Sequence, residues 1–157
     1  MDFRIATESE LDVLAQMRWD FRLEESPSTP VHDRQTFLEA CTAFLRQGLT
    51  SQRWIYWVAV YQGTIISHVF VQRIAKVPKP NRLDDGFGYV TNVYTMPAYR
   101  GQGIGSKLMA HVVGWAQAQD LECLLVGPSD ASVHFYERAG FRWNEDLMEY
   151  SVRPYIL

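Results

Sequence analysis

The sequence predicts a mixed α/β fold in a single domain, with the element order β-α-α-β-β-β-α-β-α-β around a mixed sheet. Three observations carry that reading. Two segments of helical period precede Trp54, aromatic and β-branched runs dominate Trp54 to Thr95, and a long helical pattern after Gly101 leads into a second apolar run at Leu121 to Val126. At 157 residues the chain has about the length of one domain, so 1–157 is read as one unit. With 47% apolar and 13% aromatic residues against 21% charged, its composition is that of a chain that buries a core.

Phe3 to Ala6 reads as a short opening strand. It runs into Thr7-Glu8-Ser9-Glu10, whose capping-box spacing lets Glu10 reach back to the Thr7 amide. Leu11, Leu14, Ala15, Arg18 and Phe21 then keep a helical period, which should fade near Glu25 because Pro27 and Pro30 break the pattern beyond it. A second helix is expected after Asp33, carrying Phe37, Leu38, Cys41, Phe44 and Leu45 and stopping at Gly48. Trp54 to Tyr61 is apolar on both faces, the pattern of a strand covered on both sides, and Gln62-Gly63 predicts a hairpin turn into Ile65 to Val71. Lys76 to Asp85 reads as a loop and Tyr89 to Thr95 as the next strand. The longest helix is expected over 101–119, with Gly114 inside it as a mark of close packing. Leu121 to Val126 reads as a buried strand, Ser129 to Ala139 as a shorter helix closed by Gly140, and Phe141 to Tyr155 as one or two final strands.

Charge narrows the partners. Fifteen basic residues against 18 acidic give a net charge of −3, which argues against holding a nucleic-acid backbone but leaves room for one small anion on backbone amides. Cys41 and Cys123 lie far apart, without a C-x-x-C spacing or paired histidines, so neither a disulfide scaffold nor a metal site is expected. The opening MDFRIATESE has no signal-peptide pattern and no apolar run reaches the ~18 residues of a membrane span, so the expected setting is cytoplasmic and off the membrane.

The most informative stretch is Tyr99-Arg100-Gly101-Gln102-Gly103-Ile104-Gly105-Ser106-Lys107, between a strand end and the long helix. Alternating glycines let successive amides curl inward, and the helix N-terminus adds free N–H groups and a positive dipole end, the combination that holds a pyrophosphate. A Walker loop fails because Ser106 stands where glycine is required before the lysine. A dinucleotide-binding fold expects its turn early in a βαβ unit, whereas this one comes after a run of strands. A flexible helix start without a ligand is the third reading.

Here the chain resembles a known family. Arg100, Gly103 and Gly105 match the R-x-x-G-x-G motif of the GNAT family of N-acetyltransferases, and Val93-Tyr94-Thr95-Met96-Pro97 is similar to their preceding strand. Downstream, Phe135-Tyr136-Glu137-Arg138-Ala139-Gly140-Phe141 resembles their L-Y-x-x-x-G-F element. The resemblance implies a splayed central sheet and transfer of an acetyl group from acetyl-CoA to a primary amine, on a small molecule or a peptide, by direct attack in a ternary complex. It implies that Arg100, Gly101, Gln102, Gly103, Ile104, Gly105 and Ser106 bind the pyrophosphate of acetyl-CoA. It implies that Val93, Tyr94 and Thr95 pair with the pantetheine arm, one amide there polarising the thioester carbonyl. Tyr136 matches the tyrosine that protonates the departing thiolate, and a homodimer is the assembly the family suggests.

The chain also departs from the family pattern. Ser129 stands where the family often has asparagine, so one hydrogen bond to the cofactor replaces a bidentate amide contact. Leu124 occupies the position nearest the glutamate that some members use as base. Glu122, Glu24, Glu25, His68, Asp84 and Asp85 are the other candidates, beside a water chain, and none is singled out. Trp19, Phe21, Glu24, Glu25, Asp84, Asp85, Asn92 and Tyr94 fall where the family walls its acceptor, a set that suits a cationic amine and equally a solvated acidic loop over core aromatics. Cys123 is expected to be an inert mid-strand residue. An acyl-CoA-binding sensor or interaction module on the same fold is the alternative function.

Overall fold

Backbone chemistry at three places sets the architecture of the structure, a computed structural model that describes residues 1–153. Thr7 N donates to Glu10 Oε2 at 2.8 Å and turns β1 (Asp2–Ile5) into α1 (Leu11–Glu25) through one 3-10 turn. Asp33 Oδ1 accepts from Thr36 N at 2.8 Å and starts α2 (Arg34–Thr50). Gln62 and Gly63, at φ of 49° and 77°, form the two-residue turn that joins β2 (Trp54–Tyr61) to β3 (Thr64–Ala75) with the twist strands prefer. β4 (Gly86–Thr95), α3 (Ile104–Ala118), β5 (Leu124–Val126) and α4 (Val133–Arg138) complete the elements. The chain divides into two compact units, Met1–Gly127 and a second that begins at Pro128.

In the first unit the strands lie in sequence order, β1-β2-β3-β4-β5, antiparallel except for the final pair. Leu11, Leu14, Ala15 and Met17 of α1 and Leu45 of α2 bury one face of the sheet together with Tyr56, Val58, Phe70 and Tyr94. α3 covers the opposite face, where His111 stacks on Phe3 at 5.0 Å and lies 6.2 Å from Trp57. β2 is therefore covered on both sides, as its unbroken apolar run predicts.

Four expectations change. α2 does not stop at Gly48 but continues to Thr50, because Gly48 is a contact point: a Cβ there would overlap the Tyr56 hydroxyl and the Trp54 side chain. Gly114 marks no close packing, since nothing lies within 4 Å of its Cβ position and it lines an open groove with Phe3, Trp57 and His111. β5 is shorter than Leu121 to Val126. Asp120 turns at φ 53°, Glu122 N and Cys123 O bond to Gly86 and Gly88 without regular pairing, and Cys123 is exposed at the strand's entrance rather than inside it. In the second unit no strand comes after α4 over 141–153, while positions 154 and 155 of the expected final strand lie outside the described residues.

Candidate active site

β4 is the spine of the site. It pairs with β3 along its length but with β5 only through Gly88, Tyr89 and Val90, so among the described residues Thr91 to Thr95 are flanked by a strand on the β3 side alone. The expected splay is thus visible as a pairing that stops. The same segment carries a β-bulge, with Asn92 and Val93 opposite Val69 and Asn92 at φ 50°. The bulge changes which face each residue serves. Val90 lies opposite Val71 and Tyr94 opposite His68, on opposite faces of the sheet, where plain alternation would have put them together.

Two side chains of β3 hold the bulge. His68 Nδ1 donates to the Asn92 carbonyl at 2.7 Å, and the Ser67 hydroxyl donates to the Tyr94 carbonyl and meets Thr95 Oγ1, each at 2.8 Å. With those carbonyls turned toward β3, backbone alternation aims the Val93 groups at the open edge. Burial is the main reason the His68 pKa falls to about 4, against the opposing effect of the Asn92 hydrogen bond, so the ring is neutral at pH 7. Sequence reasoning did not assign Ser67 a role, and a serine inside an apolar strand was the signal.

After β4, Pro97–Tyr99 makes one 3-10 turn and the chain enters the glycine turn. Gly101 and Gly103 take φ of 74° and 75°, a conformation costly for other L-residues, and Gly103 is the N-cap of α3. From Gly101 onward, among the described residues, the first amide to find a backbone acceptor is Lys107 N, bonded to Gly103 O at 3.0 Å. The amides of Gly101, Gln102, Gly103, Ile104, Gly105 and Ser106 have none. Nothing stands within 4 Å of a Cβ built on Gly101 or Gly103, so the space over the turn is open. Unpaired N–H groups, an open approach and a helix dipole fit a diphosphate.

Arg100 is committed elsewhere. Its Nε donates to the Thr95 carbonyl at 2.8 Å, its Nη1 pairs with Glu24 at 2.6 Å, and its guanidinium lies 5.4 Å from the centre of the Tyr94 ring. The hydrogen bond with Glu24 is the largest reason the Arg100 pKa rises and the Glu24 pKa falls. Tyr94 donates its hydroxyl to the same carboxylate at 3.3 Å. Arg100 therefore ties the turn to the end of α1.

Most of the carboxylates expected near the acceptor are already paired. Glu25 bonds Arg22, and buried Asp85 sits 3.2 Å from Arg82 and 3.8 Å from both Lys76 and Lys79. Glu122 pairs with Lys76, and Asp84 is exposed. Trp19 packs on Phe37 at 5.3 Å and Phe21 on Tyr94 at 4.9 Å. The reading of an acidic pocket for a cationic amine loses its charges to these cations.

In the second unit, Ser129 is exposed at the N-cap of the Asp130–Ser132 turn, and its hydroxyl donates to Ser132 Oγ at 3.0 Å. Tyr136 is buried on α4, with the Phe135 and Phe141 rings at 5.1 and 5.5 Å. Phe141 N closes the helix on the Tyr136 carbonyl at 3.0 Å. The first unit thus brings together Val93, Tyr94, Thr95 and Arg100 to Ser106, and the second unit places Ser129 and Tyr136 one helix apart.

Among known proteins, the acetyltransferase (GNAT) family matches residues 12–141. A glucosamine 6-phosphate N-acetyltransferase of Trypanosoma brucei brucei is 31% identical over 71 residues, 45% of this chain, which spans about half (48%) of that relative's length. A predicted acetyltransferase of Clostridium acetobutylicum, solved with acetyl-CoA, superposes with a TM-score of 0.78 at 22% identity over 96% of both chains. A putative acetyltransferase of Agrobacterium tumefaciens does so at 0.73 and 22% identity, over 98% of this chain and 100% of that one. No helix of the described residues is long and apolar enough to cross a membrane.

Proposed function

Since the chain belongs to the GNAT family of acetyltransferases, we propose that it moves an acetyl group from acetyl-CoA to a primary amine by direct attack, with both substrates bound together. One observation carries the reading: the row of unpaired amides from Gly101 to Ser106 adjoins the strand edge left open beyond Val90. The bound thioester supplies an activated acetyl carbon. The amides of the turn hold its diphosphate, while the open edge from Val93 to Thr95 holds the amide-bearing arm as an added strand would be held. A backbone N–H aimed from the bulge polarises the thioester carbonyl, and the fixed bulge makes that donor preorganised.

The acceptor nitrogen then attacks the acetyl carbon, the carbon–sulfur bond breaks, and Tyr136 donates its phenolic proton to the departing sulfur. In water that transfer opposes a thiol pKa of about 8.5 with a phenol of about 10, a deficit of roughly 2 kcal/mol that a partly apolar site reverses. The amine's own proton leaves to water, since Glu24, Glu25 and Asp85 are each engaged by a cation. Direct attack needs no acyl-enzyme, and exposed Cys123, with its thiol pKa raised mainly by burial of the sulfur, is poorly suited to form one.

The test is CoA release from acetyl-CoA against a panel of amino acids, polyamines, aminoglycosides, peptide N-termini and glucosamine 6-phosphate, the last taken from the relative's name. Amine-dependent release without a trapped acetyl-enzyme is the expected result. Thermal stabilisation by acetyl-CoA with no release from any amine would return the sensor reading.

A further inference from the structure

Under α1, on the sheet face opposite α3, three polar side chains come together that the transfer chemistry leaves unused. Arg18 lies on the apolar stripe of α1, half-buried, and its Nη1 donates to Asn92 Oδ1 at 2.9 Å. It also lies 5.9 Å from the centre of the Phe21 ring, and among the described residues no carboxylate comes within ion-pair distance of it. Arg22, one turn on, is satisfied by Glu25 and adds a second positive charge nearby. Burial is the main cause of a lowered Arg18 pKa and Arg22 lowers it further, with Glu25 acting weakly against both.

Asn92 and His68 sharpen the picture. Asn92 is 8% exposed, and its amide nitrogen Nδ2 has no hydrogen-bond partner. His68 is fully buried with Nδ1 donating to the Asn92 carbonyl, so Nε2 carries a lone pair that also has no partner. Buried donors and acceptors are normally paired, and a cation half out of water normally has an anion beside it. Here the guanidinium and the free amide N–H are both donors, at the residue that immediately precedes Val93. Of the carboxylates further along α1, Glu24 and Glu25 are paired with Arg100 and Arg22, while exposed Asp20 lies two residues from Arg18.

We propose that Arg18 and Asn92 receive an anionic group, a carboxylate or a phosphate, carried by the amine acceptor. The inference rests on the acetyl-transfer reading and names its acceptor class: an amine that bears its own negative charge close to the nitrogen. The net charge of −3 makes such local recognition the only kind available, since the protein as a whole repels anions.

The experiment compares matched amines with the full-length protein and acetyl-CoA: O-phosphoethanolamine against ethanolamine, and β-alanine against β-alaninamide. The expected result is a kcat/KM at least about ten-fold higher for the anionic member of one pair, and the pair that shows it identifies phosphate or carboxylate. Arg18→Gln should abolish that preference by raising KM for the anionic acceptor, with KM for acetyl-CoA unchanged and turnover of the neutral amine retained. Arg18→Lys should keep part of it. Asn92→Asp tolerates the left-handed backbone and gives Arg18 a carboxylate within the protein, so it should fold and lose the preference even if Arg18→Gln does not fold. Neutral amines used as well as anionic ones, or an Arg18→Gln defect equal for both, would overturn the inference and leave acetyl transfer standing. No CoA release with any amine, and no thermal stabilisation by acetyl-CoA, would overturn both.

Discussion

At the scale of single residues, the site depends on groups whose protonation the fold sets. His68 is pulled from 6.5 down to about 4, chiefly by burial. Between those values the unfolded chain binds a proton that the folded chain refuses, so stability rises with pH across the window. The contribution is complete above about pH 6.5 and is lost as pH falls toward 4, by roughly 3 kcal/mol. Chemical denaturation at pH 7 and pH 4.5 should show this loss, and a His68→Gln variant should show a flatter dependence. Tyr136 is the residue whose chemistry is easiest to isolate. Tyr136→Phe should lower kcat about a hundred-fold in a protein that still folds, and near-normal turnover would remove its acid role. Arg18 shows what a sequence conceals at this scale. Its place in the helical stripe with Leu11, Leu14, Ala15 and Phe21 is visible there, but its hydrogen bond to Asn92, 74 residues away, is a property of three dimensions.

At the scale of elements, two glycines inside helices make opposite predictions. Gly114 faces open space, so Gly114→Ala should stabilise the protein by about 1 kcal/mol through helix propensity alone. Gly48 is pressed against Tyr56 and Trp54, so Gly48→Ala should destabilise it by about 1–3 kcal/mol through overpacking. Thermal melts of the two variants on either side of the wild type check both. The pair also shows where sequence reading stops. Helix starts are legible because Thr7, Glu10 and Asp33 act on amides a few residues away. The hairpin is legible because two adjacent residues, Gln62 and Gly63, supply its φ angles. Gly48 reads as a stop because glycine at a helix end and glycine at a helix contact look alike without the neighbouring strand. The bulge at Asn92 leaves no local mark. It is defined by register against β3, and it reverses the faces that alternation alone assigns to Val90 and Tyr94.

At the scale of the molecule, the glycine turn proposed as the diphosphate cradle is legible in sequence, since consecutive residues form it. The bracing of that cradle is not legible, because Arg100, Glu24, Tyr94 and Thr95 come from α1, β4 and the turn. Ligand binding should be visible in the stability of the whole chain. Acetyl-CoA at about a hundred times its dissociation constant adds roughly 2.7 kcal/mol, which for a chain of this size raises the melting temperature by about 5–10 °C. Differential scanning fluorimetry checks this, and a flat response would count against the cradle.

The order of the sheet has a kinetic side as well. From β1 to β4, β2 comes after two helices and each later strand after a hairpin or a loop, but β5 reaches β4 only once the whole of α3 has been laid across the sheet. Contacts between near neighbours form early because little chain entropy is lost in closing them, and the crossover is the closure that spans the longest stretch among the later strands. Among the seams beyond β2, the β4–β5 seam thus closes the longest stretch of chain, and it runs for three residue pairs before it ends. Folding leaves an unfinished edge on β4 at the place proposed for acetyl-CoA, so the strand-like partner proposed for that edge is a molecule the ribosome never made.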